Sequence, residues 1–406
     1  MNLKLKRISN IKSNTLQITG SKSETNRLLI LQSLYPEIEI ENVSNSDDSQ
    51  LMQAALASKD ELVDIYHAGT AMRFLTAYFA VQKGRQTVLT GSKRMQERPI
   101  KILVEGLRQL GCDINYEKEE GFPPIKIIGK DPISNRVSLA ANVSSQYISA
   151  LMLIASSLSD GLEIVLEGKV TSVPYIEMTL SLLRDVGISG SFENNVISIK
   201  PVKVVSPKLV VVESDWSSAS YFYSIVALSM GSTITLGSYK QSSYQGDSAL
   251  ADIYKKLGVE TIFNNNKITL KQIPLPNDSK VLELDLANSP DIAQTIAVTC
   301  FGLGKACYLK GLHTLKIKET DRLEALKTEI EKLGGEVTIT EDSLRLAPAR
   351  SIRSEISIDT YHDHRMAMAF APLALRTTLF INDADVVSKS YPDFWDDLKK
   401  LDFKVL

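Results

Sequence analysis

Cysteine, histidine and tryptophan are scarce in this 406-residue sequence, which contains three, four and two of them. The cysteines, Cys112, Cys300 and Cys307, are odd in number and stand at no metal-ligand spacing. That excludes a disulfide framework and a cysteine-built zinc site, and it points to a reducing compartment. Each is expected to pack as a small apolar side chain. Charge of one sign is missing as well. Lys and Arg number 46 against 48 Asp and Glu, a net charge of −2, so no global positive field exists to hold a nucleic-acid backbone. Any anion must be held by a local cluster. Long apolar runs are also absent: Tyr147 to Leu158 is interrupted by serines and falls short of the roughly 20 residues that span a bilayer. Met1 to Gly20 lacks the apolar core and cleavage site of a secretory signal. The expectation is a cytoplasmic chain whose length suits two to three ordinary domains.

What is present is repetition. Four apolar-periodic helices are predicted to end in Leu110-Gly111, Val186-Gly187, Leu257-Gly258 and Leu333-Gly334, with the glycines 76, 71 and 76 residues apart. Each leads into short β-rich runs. In Ile188 to Ile199 and Val259 to Leu270 the runs are separated by Asn194-Asn195 and Asn264-Asn265-Asn266, which predicts hairpins. Upstream in each repeat a polar opening precedes a mainly apolar helix: Ser23, Thr70, Ser145, Ser218, Asp291 and His364. The last four intervals are 73 to 75 residues and the first is 47, so six related repeats are predicted, one of them abbreviated. Helices apolar all round, such as Ile148 to Leu158 and Ala219 to Met230, should be buried; the second, amphipathic helix of each repeat should cover the outside. Six repeats divide most simply into two lobes of three. The chain is expected to cross between them near Gly20 and near Glu213-Ser214, which makes a hinge and leaves a cleft for a ligand.

Polar functional residues concentrate at the starts of the six buried helices, where unpaired N–H groups and the positive end of the helix dipole favour anions. Basic side chains join them in Gly20 to Arg27, Arg94 to Pro99, Lys318 to Arg322, Asp363-His364-Arg365 and at Lys389. Any one such cluster is by itself a capped helix with solvated charge; their recurrence at equivalent places is the signal. Gly20-Ser21-Lys22-Ser23 lacks the spacing of a nucleotide P-loop, which disfavours ATP. Lys318, Glu319 and Arg322 place two cations on one helical face with a carboxylate beside them, an arrangement suited to acid–base work on a bound anion. His362 and His364 flank Asp363, but Arg365 follows directly and no further histidine-rich motif completes a metal site. Asp291, after Ser289-Pro290 at a helix start, is a candidate base.

With these motifs in view the sequence resembles the 5-enolpyruvylshikimate-3-phosphate synthases over nearly its whole length. The matching stretches are Gly20-Ser21-Lys22-Ser23 with Arg27, Ala68 to Arg73, Arg94 to Ile100, Ser144-Ser145-Gln146, Ser172 to Tyr175, Lys318 to Arg322, Asp363 to Met368 and Lys389 to Pro392. The resemblance implies an α/β, two-lobed enolpyruvyl-transferase fold of six βαβαββ repeats, three per lobe. Residues 1–20 with 213–406 would form one lobe and 21–212 the other, with a hinge and an interlobe cleft. It implies transfer of the enolpyruvyl group of phosphoenolpyruvate to the 5-hydroxyl of shikimate-3-phosphate, with release of phosphate and no metal or organic cofactor. By similarity, Lys22, Ser23, Arg27, Ser144, Ser145, Gln146, Ser172, Tyr175, Asp291 and Lys318 hold shikimate-3-phosphate. Lys22, Gly69, Arg98, Gln146, Arg322, Arg365 and Lys389 surround phosphoenolpyruvate. Asp291 matches the base; Glu319, with Lys22 as a competing candidate, would protonate the methylene carbon and later remove a proton. The partners implied are the two small substrates, with no nucleic acid and no membrane, and the expected state is a monomer.

Two departures stand out. The usual Asn before Ala-Gly-Thr is His67, and the usual Asn ahead of the Lys-Glu pair aligns with Thr314. Gly69 keeps room beside the pocket, which makes glyphosate an expected inhibitor. The related transferase acting on UDP-N-acetylglucosamine is disfavoured, because the loop Arg94-Met95-Gln96-Glu97 carries no cysteine. An inactive scaffold of the same fold is the remaining alternative, although nearly all matched catalytic positions are filled.

Overall fold

The computed structural model describes residues 1–140, 144–168, 170, 173–276 and 281–406. The six apolar helices are Lys22–Leu34, Gly69–Ala80, Ser145–Ala155, Trp216–Leu228, Ala293–Leu303 and His364–Phe370. Every residue of Ser145–Ala155 except Gln146 is buried, and every residue of Trp216–Leu228 except Ser217. A helix enclosed on all sides can carry hydroxyls only if they are bonded. Here they bond across helices: Ser220 with Thr295 at 2.9 Å, Thr299 with Ser224 at 2.8 Å, and Ser149 with Thr179 at 3.0 Å.

The polar openings act as caps. Ser21 accepts from Glu24 N, Asp215 from Ser218 N at 2.7 Å, and Asp363 from Arg365 N at 2.8 Å. The opening at Asp291 differs from the expected plain helix start, since Pro290–Ile292 forms a 3-10 turn ahead of Ala293–Leu303. The outer helices stop where the glycine pattern predicts. Gly187 and Gly258, at φ of 84° and 83°, take left-handed conformations that a Cβ would strain, and each turns the chain into a hairpin. The hairpins Gly190–Glu193 with Val196–Ile199 and Val259–Asn264 with Lys267–Gln272 turn on Asn194-Asn195 and Asn265-Asn266, all at positive φ.

One repeat shows the design. Strand Arg136–Ala140, helix Ser145–Ala155, strand Leu162–Glu167, helix Val173–Asp185 and the hairpin Gly190–Ile199 follow in order. The first two strands pair in parallel and the hairpin adds two antiparallel strands. Among the described residues there are six sheets, five of four strands and one of two. The two-stranded sheet belongs to the repeat whose shortened spacing marked it as abbreviated. After helix Asp47–Ala57 the chain runs straight into Leu62–Asp64, a strand of the next sheet, so the abbreviated repeat has no hairpin.

Two strands are exchanged. Asn14–Leu16 precedes helix Lys22–Leu34 but pairs with Thr233–Gly237, whereas Lys208–Val211 precedes helix Trp216–Leu228 but pairs with Ile38–Glu41. The chain divides into two compact units, Met1–Thr19 with Glu213–Leu406, and Gly20–Val212. The first contains a continuous core from Leu3 and Leu5 through Trp216 and Phe370 to Phe403. Among the described residues no helix is long and apolar enough to cross a membrane.

Candidate functional site

In the unit containing Glu213–Leu406, three helix starts converge on Asp291. Arg322 is the first residue of helix Arg322–Lys332, which Asp321 caps by accepting from Leu323 N and Glu324 N, both at 3.1 Å. Its side chain is 2 % exposed and divides itself among three carboxylates. Nη1 donates to Asp291 Oδ1 at 2.8 Å, Nη2 to Glu319 Oε2 at 2.8 Å, and Nε to Asp363 Oδ2 at 2.6 Å. Asp363 is fully buried and also caps helix His364–Phe370 through its other oxygen, so one carboxylate orients both Arg322 and the segment carrying Arg365. Arg365 Nη2 reaches to 3.4 Å from Asp291 Oδ2, and Lys318 Nζ to 3.6 Å from Asp291 Oδ1.

The electrostatics follow. Burial by itself would raise the Asp291 carboxyl, but Arg365, Lys318 and Arg322 hold it well below the usual carboxylate range. Arg365 is raised above its ordinary value: burial opposes its charge, and Asp291 and other acidic neighbours outweigh that penalty. Its Nε is buried and makes no hydrogen bond among the described residues, so this guanidinium holds a donor in reserve. Lys389 fastens the loop that leads into helix His364–Phe370. Its Nζ donates to His362 O at 2.7 Å, and Tyr361 and His362 both stand at positive φ, at 55° and 56°. Two consecutive left-handed non-glycine residues are backbone strain that the surrounding structure must offset. Thr314 Oγ1, where the longer amide was expected, is buried without a hydrogen-bond partner among the described residues.

The unit Gly20–Val212 carries the other predicted residues. Lys22 opens helix Lys22–Leu34 with Nζ 3.6 Å from Asp48 Oδ2. Arg27, one turn later, faces inward: Nε donates to Thr179 Oγ1 at 2.8 Å, Nη1 to Ser23 O at 2.8 Å and Nη2 to Ser149 Oγ at 3.0 Å. Burial lowers it to about 10, opposed by Tyr175 and Glu24. Three of the predicted ligand-holding residues, Ser23, Arg27 and Tyr175, are thereby one connected group, since Tyr175 O accepts from Thr179 Oγ1 at 2.8 Å. Arg98 lies against the start of helix Gly69–Ala80, so close that a Cβ built on Gly69 would stand 2.4 Å from its Nη1. Gln146 Nε2 donates to Thr70 Oγ1 at 3.2 Å, bringing the starts of two buried helices together. Ser144 caps helix Ser145–Ala155 by accepting from Gln146 N at 3.4 Å. His67 Nε2 is 3.7 Å from Asp47 Oδ2. Ser172 lies outside the described residues.

Sequence reasoning gave no role to four contributors, although Arg73 and Asp363 lie within motifs it singled out. Arg73 donates to Gly69 O at 3.1 Å and Pro99 O at 2.9 Å, tying the Arg98-Pro99 loop to the helix start beside it. Asp363, Ser217 and Asp247 hold the Asp291 cluster from behind. For Asp363 the only legible signal was its place directly before His364-Arg365. Among the described residues no group of three or more His, Cys, Asp or Glu is placed to hold a metal ion.

The profile of the family "EPSP synthase (3-phosphoshikimate 1-carboxyvinyltransferase)" matches residues 52–398. A Bacteroides fragilis protein named 3-phosphoshikimate 1-carboxyvinyltransferase is 45 % identical over 400 residues, covering 96 % of each chain. One of the same name from Shewanella pealeana is 35 % identical over 421 residues, covering 96 % of this chain and 97 % of its own. In fold, the chain resembles the solved EPSP synthase of Acinetobacter baumannii with a TM-score of 0.83 at 20 % identity, covering 100 % of this chain and 99 % of that one. The helix-start clusters and the sequence match over nearly the full length lead to one assignment: this chain belongs to the EPSP synthase (3-phosphoshikimate 1-carboxyvinyltransferase) family.

Proposed function

We propose that the chain transfers the enolpyruvyl group of phosphoenolpyruvate to the 5-hydroxyl of shikimate-3-phosphate, in the shikimate pathway of aromatic biosynthesis, with the residues described above in the following roles. The observation that carries the mechanism is Asp291, a carboxylate clamped by Arg322, Arg365 and Lys318. In that state it is ionised but a weak base. When the anionic groups of phosphoenolpyruvate draw Arg365 and Arg322 toward themselves, the clamp loosens and the basicity of Asp291 rises as the substrates arrive. Asp291 then takes the 5-hydroxyl proton as that oxygen attacks C2 of phosphoenolpyruvate. Glu319, with Lys22 as the competing group, delivers a proton to C3. The tetrahedral adduct collapses as Glu319 takes a proton from C3, the C–H electron pair re-forms the C2–C3 double bond, and the C2–O bond to phosphate breaks.

Arg98, Arg322, Arg365 and Lys389 supply cations to the phosphate and carboxylate of phosphoenolpyruvate, with Arg suited to bidentate grip and Lys to a mobile point charge. The reserved Nε of Arg365 supports that role. Lys22, Ser23, Ser144, Ser145, Gln146, Ser172, Tyr175 and Lys318 serve shikimate-3-phosphate. Arg27 fixes the Ser23 carbonyl and the helix behind it through three of its five N–H groups, and the second N–H on each of Nη1 and Nη2 is assigned to shikimate-3-phosphate. The protein is proposed to act as a cytoplasmic monomer. The UDP-N-acetylglucosamine reaction is disfavoured by the thiols. Cys112, Cys300 and Cys307 are buried, and burial pushes Cys112 up to about 11, far from a reactive thiolate.

Phosphate release on mixing enzyme with both substrates tests this reading, with UDP-N-acetylglucosamine as the control acceptor. Release with shikimate-3-phosphate alone as acceptor is expected; release only with the control acceptor, or with neither, refutes it. Gly69→Ala provides a sharper check on the phosphoenolpyruvate side. The new methyl must displace Arg98, so KM for phosphoenolpyruvate is expected to rise about tenfold, with weaker inhibition by glyphosate and little change in KM for shikimate-3-phosphate. An unchanged KM for phosphoenolpyruvate would remove Arg98 from that pocket.

A further inference from the structure

Asp247 has no role in the scheme above, yet it touches the same machinery. It lies in the 3-10 turn Gly246–Ala249, ahead of the outer helix Leu250–Lys255, and is 6 % exposed. Its Oδ2 accepts a short hydrogen bond from Ser217 Oγ. Ser217 Oγ in turn accepts from Arg365 Nη2 at 3.2 Å, the same nitrogen that lies 3.4 Å from Asp291 Oδ2. One guanidinium edge is therefore shared between the base and a second buried carboxyl, reached through a single hydroxyl. The segment carrying Asp247 is itself fastened to the start of helix Trp216–Leu228. Gln245 Oε1 accepts from Trp216 N at 2.9 Å, and Gln245 Nε2 donates to Ser214 O at 3.1 Å. Glu213 Oε2 accepts from Ser243 Oγ at 2.7 Å in the same loop.

We propose that Asp247 is a positioning residue for the reaction: acting through Ser217, it holds Arg365 where that guanidinium can pass from Asp291 to phosphoenolpyruvate and so release the base. The proposal rests on the phosphoenolpyruvate role given to Arg365 above. The charged groups facing Asp247 are Arg365 from helix His364–Phe370, Asp291 from the turn Pro290–Ile292, and Asp215, the cap of Trp216–Leu228. Burial first, and then the charge of Asp291, raise the Asp247 carboxyl to about 7, against the opposing pull of Arg365 and the Ser217 bond. In its ionised form Asp247 accepts from Ser217 and leaves the hydroxyl oxygen turned to Arg365. In its protonated form the charge behind that contact is gone. The hold on Arg365 is thus present above about pH 7 and fades below it.

Steady-state phosphate release across neutral pH, with each substrate varied in turn, tests the idea on the wild type, Asp247→Asn, Ser217→Ala and Ser217→Thr. In the wild type, kcat/KM for phosphoenolpyruvate is expected to fall as pH drops through about 7. Asp247→Asn and Ser217→Ala should lose that step and raise KM for phosphoenolpyruvate about tenfold while kcat changes little, and Ser217→Thr should restore both. Wild-type KM and pH profile in folded Asp247→Asn or Ser217→Ala would overturn the proposal. So would equal losses toward both substrates with the pH step intact, which is the mark of a purely structural role. Should Asp247→Asn not fold, Ser217→Ala decides by the same criteria. Absence of phosphate release by the wild type refutes the proposed function instead.

Discussion

Asp291→Asn is expected to lower kcat by about 10²–10⁴-fold while shikimate-3-phosphate and phosphoenolpyruvate bind at least as tightly as before. The amide keeps the size and one acceptor of the carboxylate but cannot take the 5-hydroxyl proton. Removing the negative charge also leaves Arg322, Arg365 and Lys318 with less to neutralise them, and this favours anionic ligands. Because those cations hold Asp291 well below the usual carboxylate range, the base form is present throughout the neutral range, and any activity step near pH 7 belongs to another group. Phosphate release gives kcat, and calorimetric titration gives the affinities. A kcat within a few-fold of the wild type would remove Asp291 from the role of base.

Arg322→Ala is expected both to destabilise the fold and to abolish turnover. Its guanidinium is buried among Asp363, Glu319 and Asp291, and Asp363 is itself fully enclosed. Deleting one member of a buried pair leaves an uncompensated charge, at a cost of about 3–5 kcal/mol. Denaturant unfolding measures that loss. Arg322→Met with Asp363→Asn should recover much of the stability by removing both charges, yet remain inactive because the guanidinium is still missing. A single Arg322→Ala variant as stable as the wild type would show that Asp363 finds another partner, and an active double variant would take Arg322 out of the phosphoenolpyruvate cage.

The organisation in repeats was legible because its signals are local. A glycine at Gly187 or Gly258 is needed wherever a helix turns left-handed into a hairpin, and a cap such as Asp215 or Asp363 acts within three residues of itself. Asp291 could be singled out for the same reason, by its place at a helix start in register with the basic clusters. The abbreviated repeat was readable from its shortened spacing, but not the form it takes, a two-stranded sheet whose second strand comes from Lys208–Val211. Strand exchange depends on which edges meet after the chain has folded, and pairing partners leave no mark in local pattern.

The inward turn of Arg27 and Arg73 was equally hidden. Arg27 reads from its place near a helix start as a ligand cation, and only packing shows that Thr179, Ser149 and the Ser23 carbonyl engage three of its N–H groups, or that Arg73 is turned to the Gly69 and Pro99 carbonyls. The sequence by itself determined the six-helix plan, because caps and periodicity act over a few residues, and its short motifs carried the resemblance to the enolpyruvyl-transfer family. Tertiary structure alone decided how the charges are shared. Arg322 meets Asp363 across 41 residues and Arg365 meets Ser217 across 148, and at such separations electrostatics depends on three-dimensional distance and burial rather than on position in the chain.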